Sequence, residues 1–327
     1  MPESHRCEFE ARALWGVLAW PLLPVLAFAA ALHLGARSGL LPKPRPALDT
    51  ERTILVHQVD AARQTLPVEV LLAGDSSCLT GVSARRLGVA LGKSTLNVAT
   101  FSFLDLMAHA RLLEEYNRHH ATGPAAVVLL LHPEALRRID SEPYFLRTLT
   151  NYIAGRDDSP GDTVTGWVSW LSGRELFHQR LLARAVPAPL TGAYGRRYGF
   201  SRDLERLLAA SGGSAPDPEA EPLRGSNEFR LAATVEKSCG VFRSALRPGT
   251  RLFVGLTPVP ARFAGDGFPV QQRQMLEQIG KWLRAEAVLD VLPATLPDAA
   301  FARSTHLKET EVDRYTDRVA AALRERL

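Results

Sequence analysis

Cysteine is scarce in this 327-residue chain, which has only Cys7, Cys78 and Cys239. They fall at no metal-ligand spacing, and an odd number cannot all pair within one monomer, so a disulfide framework is excluded. Cys78 and Cys239 are left as two buried thiols or, in an oxidising compartment, as one bridge. Charge of one sign is lacking too. The formal net charge is +4, carried largely by scattered arginines, and such a balance implies no nucleic-acid partner. There is no internal repeat, no metal-ligand cluster and no cofactor constellation, so neither metal nor cofactor is expected.

Charge is missing altogether from Leu14 to Leu32, a run with Trp15, Trp20 and Phe28 among many Leu and Ala residues. It is about long enough to cross a bilayer, and a membrane helix tolerates its Pro21 and Pro24 better than a soluble helix does. A single-pass anchor at 14–34 behind a tail at 1–13 is the expectation; a cleaved signal peptide is the rival, against which the acidic leader with Glu3, Glu8 and Glu10 speaks. Flanking charges do not set the orientation. Residues 35–67, with Pro42, Pro44 and Pro46, read as a linker that contains one short helix at 51–64.

The rest has a globular composition, 46% apolar and 23% charged. Val68 to Ala73 is an apolar, β-branched run of strand length that stops at Gly74, after which Asp75-Ser76-Ser77 are small and polar. A serine placed after such a strand stands where ligands bind in an open α/β sheet. Ser76 is thus the candidate nucleophile. Gly74 permits the sharp turn, and the N–H groups that open the next helix, with Asp75 and Ser77 around them, are candidates for holding an oxyanion. Plain turn and N-cap chemistry explains the same residues.

Downstream the periods alternate. Residues 93–98 read as a short strand, 103–120 as a helix, and Ala125 to Leu131 as a central parallel strand. A helix at 227–246, a strand at 251–256, a helix at 270–284, a strand at 288–292 and a closing helix at 311–326 follow. The fold class expected is α/β, a flavodoxin-like doubly wound parallel sheet over residues 68–327. Residues 141–225 interrupt it as a helical insertion with Trp167, Trp170, Phe177, Leu181 and Leu182; a lid, a partner or membrane surface, and a pair of core helices are all open. Its last stretch, 211–225, is rich in Gly, Ser, Pro and Glu and is expected to be mobile.

Gly74-Asp75-Ser76 near one end, with His306 just before the closing helix, resembles the SGNH/GDSL family of esterases and acyltransferases. The resemblance implies that Ser76 is activated by His306 as general base, since a serine hydroxyl is a poor nucleophile until its proton is taken. It also implies a membrane-anchored domain facing outward, into the periplasm or another extracytoplasmic space. The substrate expected there is an acylated envelope polysaccharide or acyl donor, with a membrane acyl-donor protein as possible partner.

Three departures weaken that picture. Arg303 stands where the family has the aspartate that orients the histidine; Asp298, Glu309 and Asp313 are nearby but off the pattern, so a Ser-His dyad and low activity are expected. No glycine lies near Asn97 to Thr100 to line the oxyanion hole, which leaves the backbone N–H of Ala99, or that of Thr100, as the expected donor. His132 follows the central strand where an asparagine is usual, and either donates in its place or merely starts a helix. A catalytically impaired scaffold or binding subunit of a polysaccharide assembly is the alternative reading. A cytosolic esterase with a buried N-terminus is a third.

Overall fold

The computed structural model describes residues 11–37, 50–63, 66–102, 104–137, 141–155, 204, 206–217, 221–225 and 227–327. The chain divides into two units, one of residues 1–45 and 160–195, the other of residues 46–159 and 196–327.

In the larger unit, strand β1 (Val70–Gly74) pairs with β2 (Thr95–Asn97) on one side and β3 (Ala126–Leu131) on the other. Further out, β3 pairs with β4 (Arg251–Leu256) and β4 with a two-residue strand, Ala287–Val288. All these pairings are parallel and the order is β2-β1-β3-β4 followed by that last strand, a doubly wound arrangement. The apolar runs form strands because both sheet faces are covered. Val70 and Leu72 enter one core, with Val128, Leu130, Tyr315 and Val319; Leu71 and Ala73 enter the other, with Val127, Leu129, Tyr116 and Phe242. Alternate residues of one strand thus supply two separate cores. The buried thiols are free and lie on opposite faces, Cys78 in the first core and Cys239 in the second.

The helices run α2 (Thr50–Ala62), α3 (Ser76–Gly81), α4 (Ala84–Leu91), α5 (Leu106–His119), α6 (Pro143–Ile153), α7 (Val235–Ser244), α8 (Phe268–Leu283) and α9 (Glu309–Arg324). Two starts differ from the sequence expectation for local reasons. Asp105 accepts the Ala108 N–H and so caps α5 there. Before α7, Phe229 is buried against Phe268 and the Ala232 N–H donates to the Leu136 carbonyl, which keeps 227–234 out of the helix.

Two stretches are more firmly engaged than the sequence suggests. Within residues 35–67, α2 buries Ile54, Leu55 and Val59 in the first core, and its Gln58 amide donates to the carbonyls of Ala99 (2.6 Å) and Gly213 (3.1 Å). The second, 211–217, is not a loose loop. The Asn97 N–H donates to Gly212, the Ala215 N–H to Leu79, and the buried Ser214 hydroxyl bonds Val82 while accepting from the Ala84 N–H. Glycine serves close approach here. At Gly213 (φ +90°) an added Cβ would lie 1.9 Å from the Asn97 carbonyl oxygen. Further along, the Glu221 N–H donates to the Ala302 carbonyl. The aromatic residues of the insertion from Trp167 to Leu182 lie outside the described residues.

In the smaller unit, α1 (Ala11–Arg37) is a continuous helix despite Pro21 and Pro24. Trp15, Val17, Trp20, Leu22, Leu23, Leu26 and Phe28 are exposed along it. Several of its other side chains lie outside the description, and among the described residues no helix is long and apolar enough to cross a membrane.

Gly213→Ala is expected to lower stability by about 3 kcal/mol, combining overpacking with a strained positive φ. Gly240 lies inside α7 with open space beside it. Gly240→Ala is expected to raise stability by up to about 1 kcal/mol. Chemical denaturation of both variants checks the pair, and an unharmed Gly213→Ala would show that 211–217 is not seated as described.

Candidate active site

The site begins where β1 stops. Gly74 has φ +144°, and a Cβ there would lie 1.8 Å from the Leu130 carbonyl oxygen, so no other residue fits without moving β3. Asp75 follows, 1% exposed, and caps α3. Its Oδ1 accepts from the Ser77 N–H (2.9 Å) and the Ser77 hydroxyl (2.6 Å), and its Oδ2 from the His132 N–H (2.7 Å). Burial pushes the Asp75 carboxyl upward, while these donors pull it back toward the charged form. The Ser77 oxygen in turn accepts from Thr257, just past β4, at 2.8 Å. Asp75 and Ser77 thus spend their polar atoms bracing the turn. Ser76 opens α3, 7% exposed, with its carbonyl accepting from the Thr80 hydroxyl at 2.8 Å.

His306 arrives from the other end of the chain on a small antiparallel hairpin, Phe301–Arg303 with His306–Leu307. The hairpin packs against α3, with Leu307 buried and its Cδ1 within 3.7 Å of where a Gly81 Cβ would stand. The hairpin thereby carries His306 to the side of α3, the helix that Ser76 opens. Among the described residues no hydrogen bond joins the Ser76 hydroxyl to His306.

The residue that sequence reasoning missed is Asp217. Its Oδ2 lies 2.7 Å from His306 Nδ1, so a proton is assigned to Nδ1, which donates it to the carboxylate. Asp217 is 89 positions away in a stretch that reads as a loop, and no spacing pattern marks it. Arg303 approaches the same Oδ2 with its Nε at 2.9 Å and reaches Glu221 Oε1 at 3.2 Å. Two of the three sequence-nominated substitutes are engaged elsewhere, Asp298 by Arg262 at 2.6 Å and Asp313 by Arg86 at 3.1 Å.

Ala99 does not offer the oxyanion donor expected of it. Its N–H donates to Asn97 Oδ1 at 2.9 Å, and the next N–H, of Thr100, donates to the Gly74 carbonyl at 3.0 Å. The signal was present in the sequence as Asn97, whose side chain readily takes a backbone N–H two residues on. His132 has a donor to spare. Its Nδ1 accepts from the Glu134 N–H at 3.2 Å, so its proton is assigned to Nε2, which is buried with no partner among the described residues. Burial first, then the nearby His306, drives its pKa down to about 3, and the ring stays neutral.

Ser76 and the neutral His132 ring thus stand after β1 and β3, and the hairpin packed against α3 carries His306, paired with Asp217. No group of residues able to hold a metal ion occurs among the described residues. No family model, curated protein or solved structure matches the chain.

Acid should expose the buried imidazoles. His109 is likewise buried, its pKa lowered to about 4 by burial. Both rings titrate near 6.5 once unfolded, so between about pH 6.5 and pH 4 the unfolded chain binds more protons than the native one, and stability falls as pH falls through that window. Each ring contributes a slope of up to about 1.4 kcal/mol per pH unit. His132→Asn is expected to remove one such share, measured by denaturation at several pH values. An undiminished slope would mean that native His132 is already charged.

Proposed function

We propose that the larger unit is a serine-dependent acyl-ester hydrolase or O-acyltransferase in which Ser76 is the nucleophile, His306 its base and Asp217 the orienting acid. The observation that carries this is the 2.7 Å contact between His306 Nδ1 and Asp217, on a hairpin packed against the helix that Ser76 opens. His306 Nε2 takes the hydroxyl proton as Ser76 Oγ attacks the acyl carbonyl carbon. Asp217 holds the ring in that tautomer and stabilises the imidazolium that forms. The proton then passes to the departing oxygen, leaving an acyl-Ser76 that water or an acceptor hydroxyl resolves. Charge on the tetrahedral oxygen is met by the Ser76 N–H, which has no intrahelical acceptor, and by His132 Nε2–H. A neutral imidazole suits that task, since it donates without releasing its proton.

The resemblance to SGNH/GDSL proteins supports the same chemistry and extends it to an acylated envelope polysaccharide. With α1 as a single-pass anchor and the domain outside the cytoplasm, a membrane acyl-donor protein is the natural partner. The second reading, a non-catalytic scaffold, draws on the missing hydrogen bond between Ser76 and His306. Such bonds are often long before substrate binds.

Hydrolysis of p-nitrophenyl acetate by the full chain separates the two. Ser76→Ala and His306→Ala are expected to abolish it, and Asp217→Asn to lower turnover by about 10⁴-fold, the scale for an orienting carboxylate. A parent rate no faster than Ser76→Ala would favour the scaffold, and an unimpaired Asp217→Asn would remove Asp217 from the mechanism. For the anchor, the parent is expected in the membrane fraction after carbonate washing. Changing Leu22, Leu23 and Leu26 together to Lys should release it, and a soluble parent would refute the anchor.

A further inference from the structure

We infer that Arg303 is a positioning residue, one that aims Asp217 at His306 rather than disabling the histidine. The catalytic part of this inference rests on the function proposed above. Arg303 and His306 are register partners across the two strands of their hairpin, so their side chains leave the same face and meet one carboxylate oxygen, Asp217 Oδ2. The guanidinium spans two points of the facing segment, Asp217 through Nε and Glu221 through Nη2. A planar fork can do that where a point charge cannot. Both contacts fall on Oδ2, with Arg303 Nε at 2.9 Å and His306 Nδ1 at 2.7 Å.

The surroundings show why a clamp is needed. Residues 211–215 are seated on β2 and α3, and residues 221–224 are laced to the hairpin by the Glu221 N–H on the Ala302 carbonyl and the Arg224 N–H on the Ser304 hydroxyl at 2.7 Å. Asp217 lies between these anchorages, 11% exposed, and its side chain reaches the hairpin through His306 and Arg303. Arg303 itself is 34% exposed, and ion pairs so open to water add little to stability. What such a contact contributes is direction. The cation does disfavour an imidazolium beside it, as the sequence alone implies. Asp217 stands between the two cationic groups and screens that repulsion, whereas a carboxylate out of line with Nδ1 orients nothing.

The test follows two readouts in the full-length chain in detergent micelles. One is the NMR resonance of the His306 Nδ1 proton, assigned by its loss in His306→Gln; the other is p-nitrophenyl acetate hydrolysis. Arg303→Ala is expected to abolish or broaden the resonance and to lower kcat by about 10- to 100-fold with KM little changed, the scale on which small misplacements act. Arg303→Lys should recover part of both. In an Asp217→Asn background, Arg303→Ala should cost nothing further, because both act through one contact. A resonance that survives Arg303→Ala, a faster enzyme, or losses that multiply with Asp217→Asn would each overturn the inference. If the parent shows no hydrolysis while its resonance still depends on Arg303, the positioning role stands and the catalytic reading falls.

Discussion

One buried carboxylate, Asp75, holds the working end of this sheet together. Ionised carboxylates avoid apolar interiors, and this one is kept by three donors from two strand ends: the Ser77 N–H and hydroxyl after β1, and the His132 N–H after β3. Through Ser77 the tie continues to Thr257 after β4. Gly74 makes the geometry possible, since any side chain there would strike the β3 backbone. Ser76 is presented as it is because its two neighbours are fully occupied. The turn lies where strand order reverses, between the ends of β1 and β3, the place where open α/β sheets bind ligands.

The other half of the site is brought in from a distance. His306 rides on a hairpin just before α9, and its acid comes from a segment that follows the insertion. That segment is seated by Gly213, which passes over β2 at a separation no other residue allows, and by the buried Ser214 hydroxyl. Under the proposed mechanism, sequence change at Gly213 would reach the chemistry through Asp217, although Gly213 is not among the reacting residues.

Much of the fold was legible from patterns of burial. The runs that became β3 and β4 are apolar at nearly every position, as strands covered on both faces must be, and their limits agree closely with the structure. The positions of Ser76 and His306 were legible, since a strand end and a final helix mark them. Asp217 was not, since a carboxylate in a Gly- and Pro-rich stretch is indistinguishable from a solvated loop residue until its partners are known. The glycines there looked like freedom and serve tight packing instead. Ala99 failed as an oxyanion donor for a reason of the same kind: the side chain two residues earlier takes the bond. His132 shows the converse, since a ring that reads as a helix start holds a buried N–H with no partner among the described residues.

Whether Ser76 is a nucleophile is decided most directly by a fluorophosphonate probe, followed by peptide mass spectrometry of the labelled chain. Activation by a His306 base that Asp217 orients predicts a single adduct on Ser76, absent from His306→Ala. A folded parent that stays unlabelled, or an adduct on another serine, would contradict it.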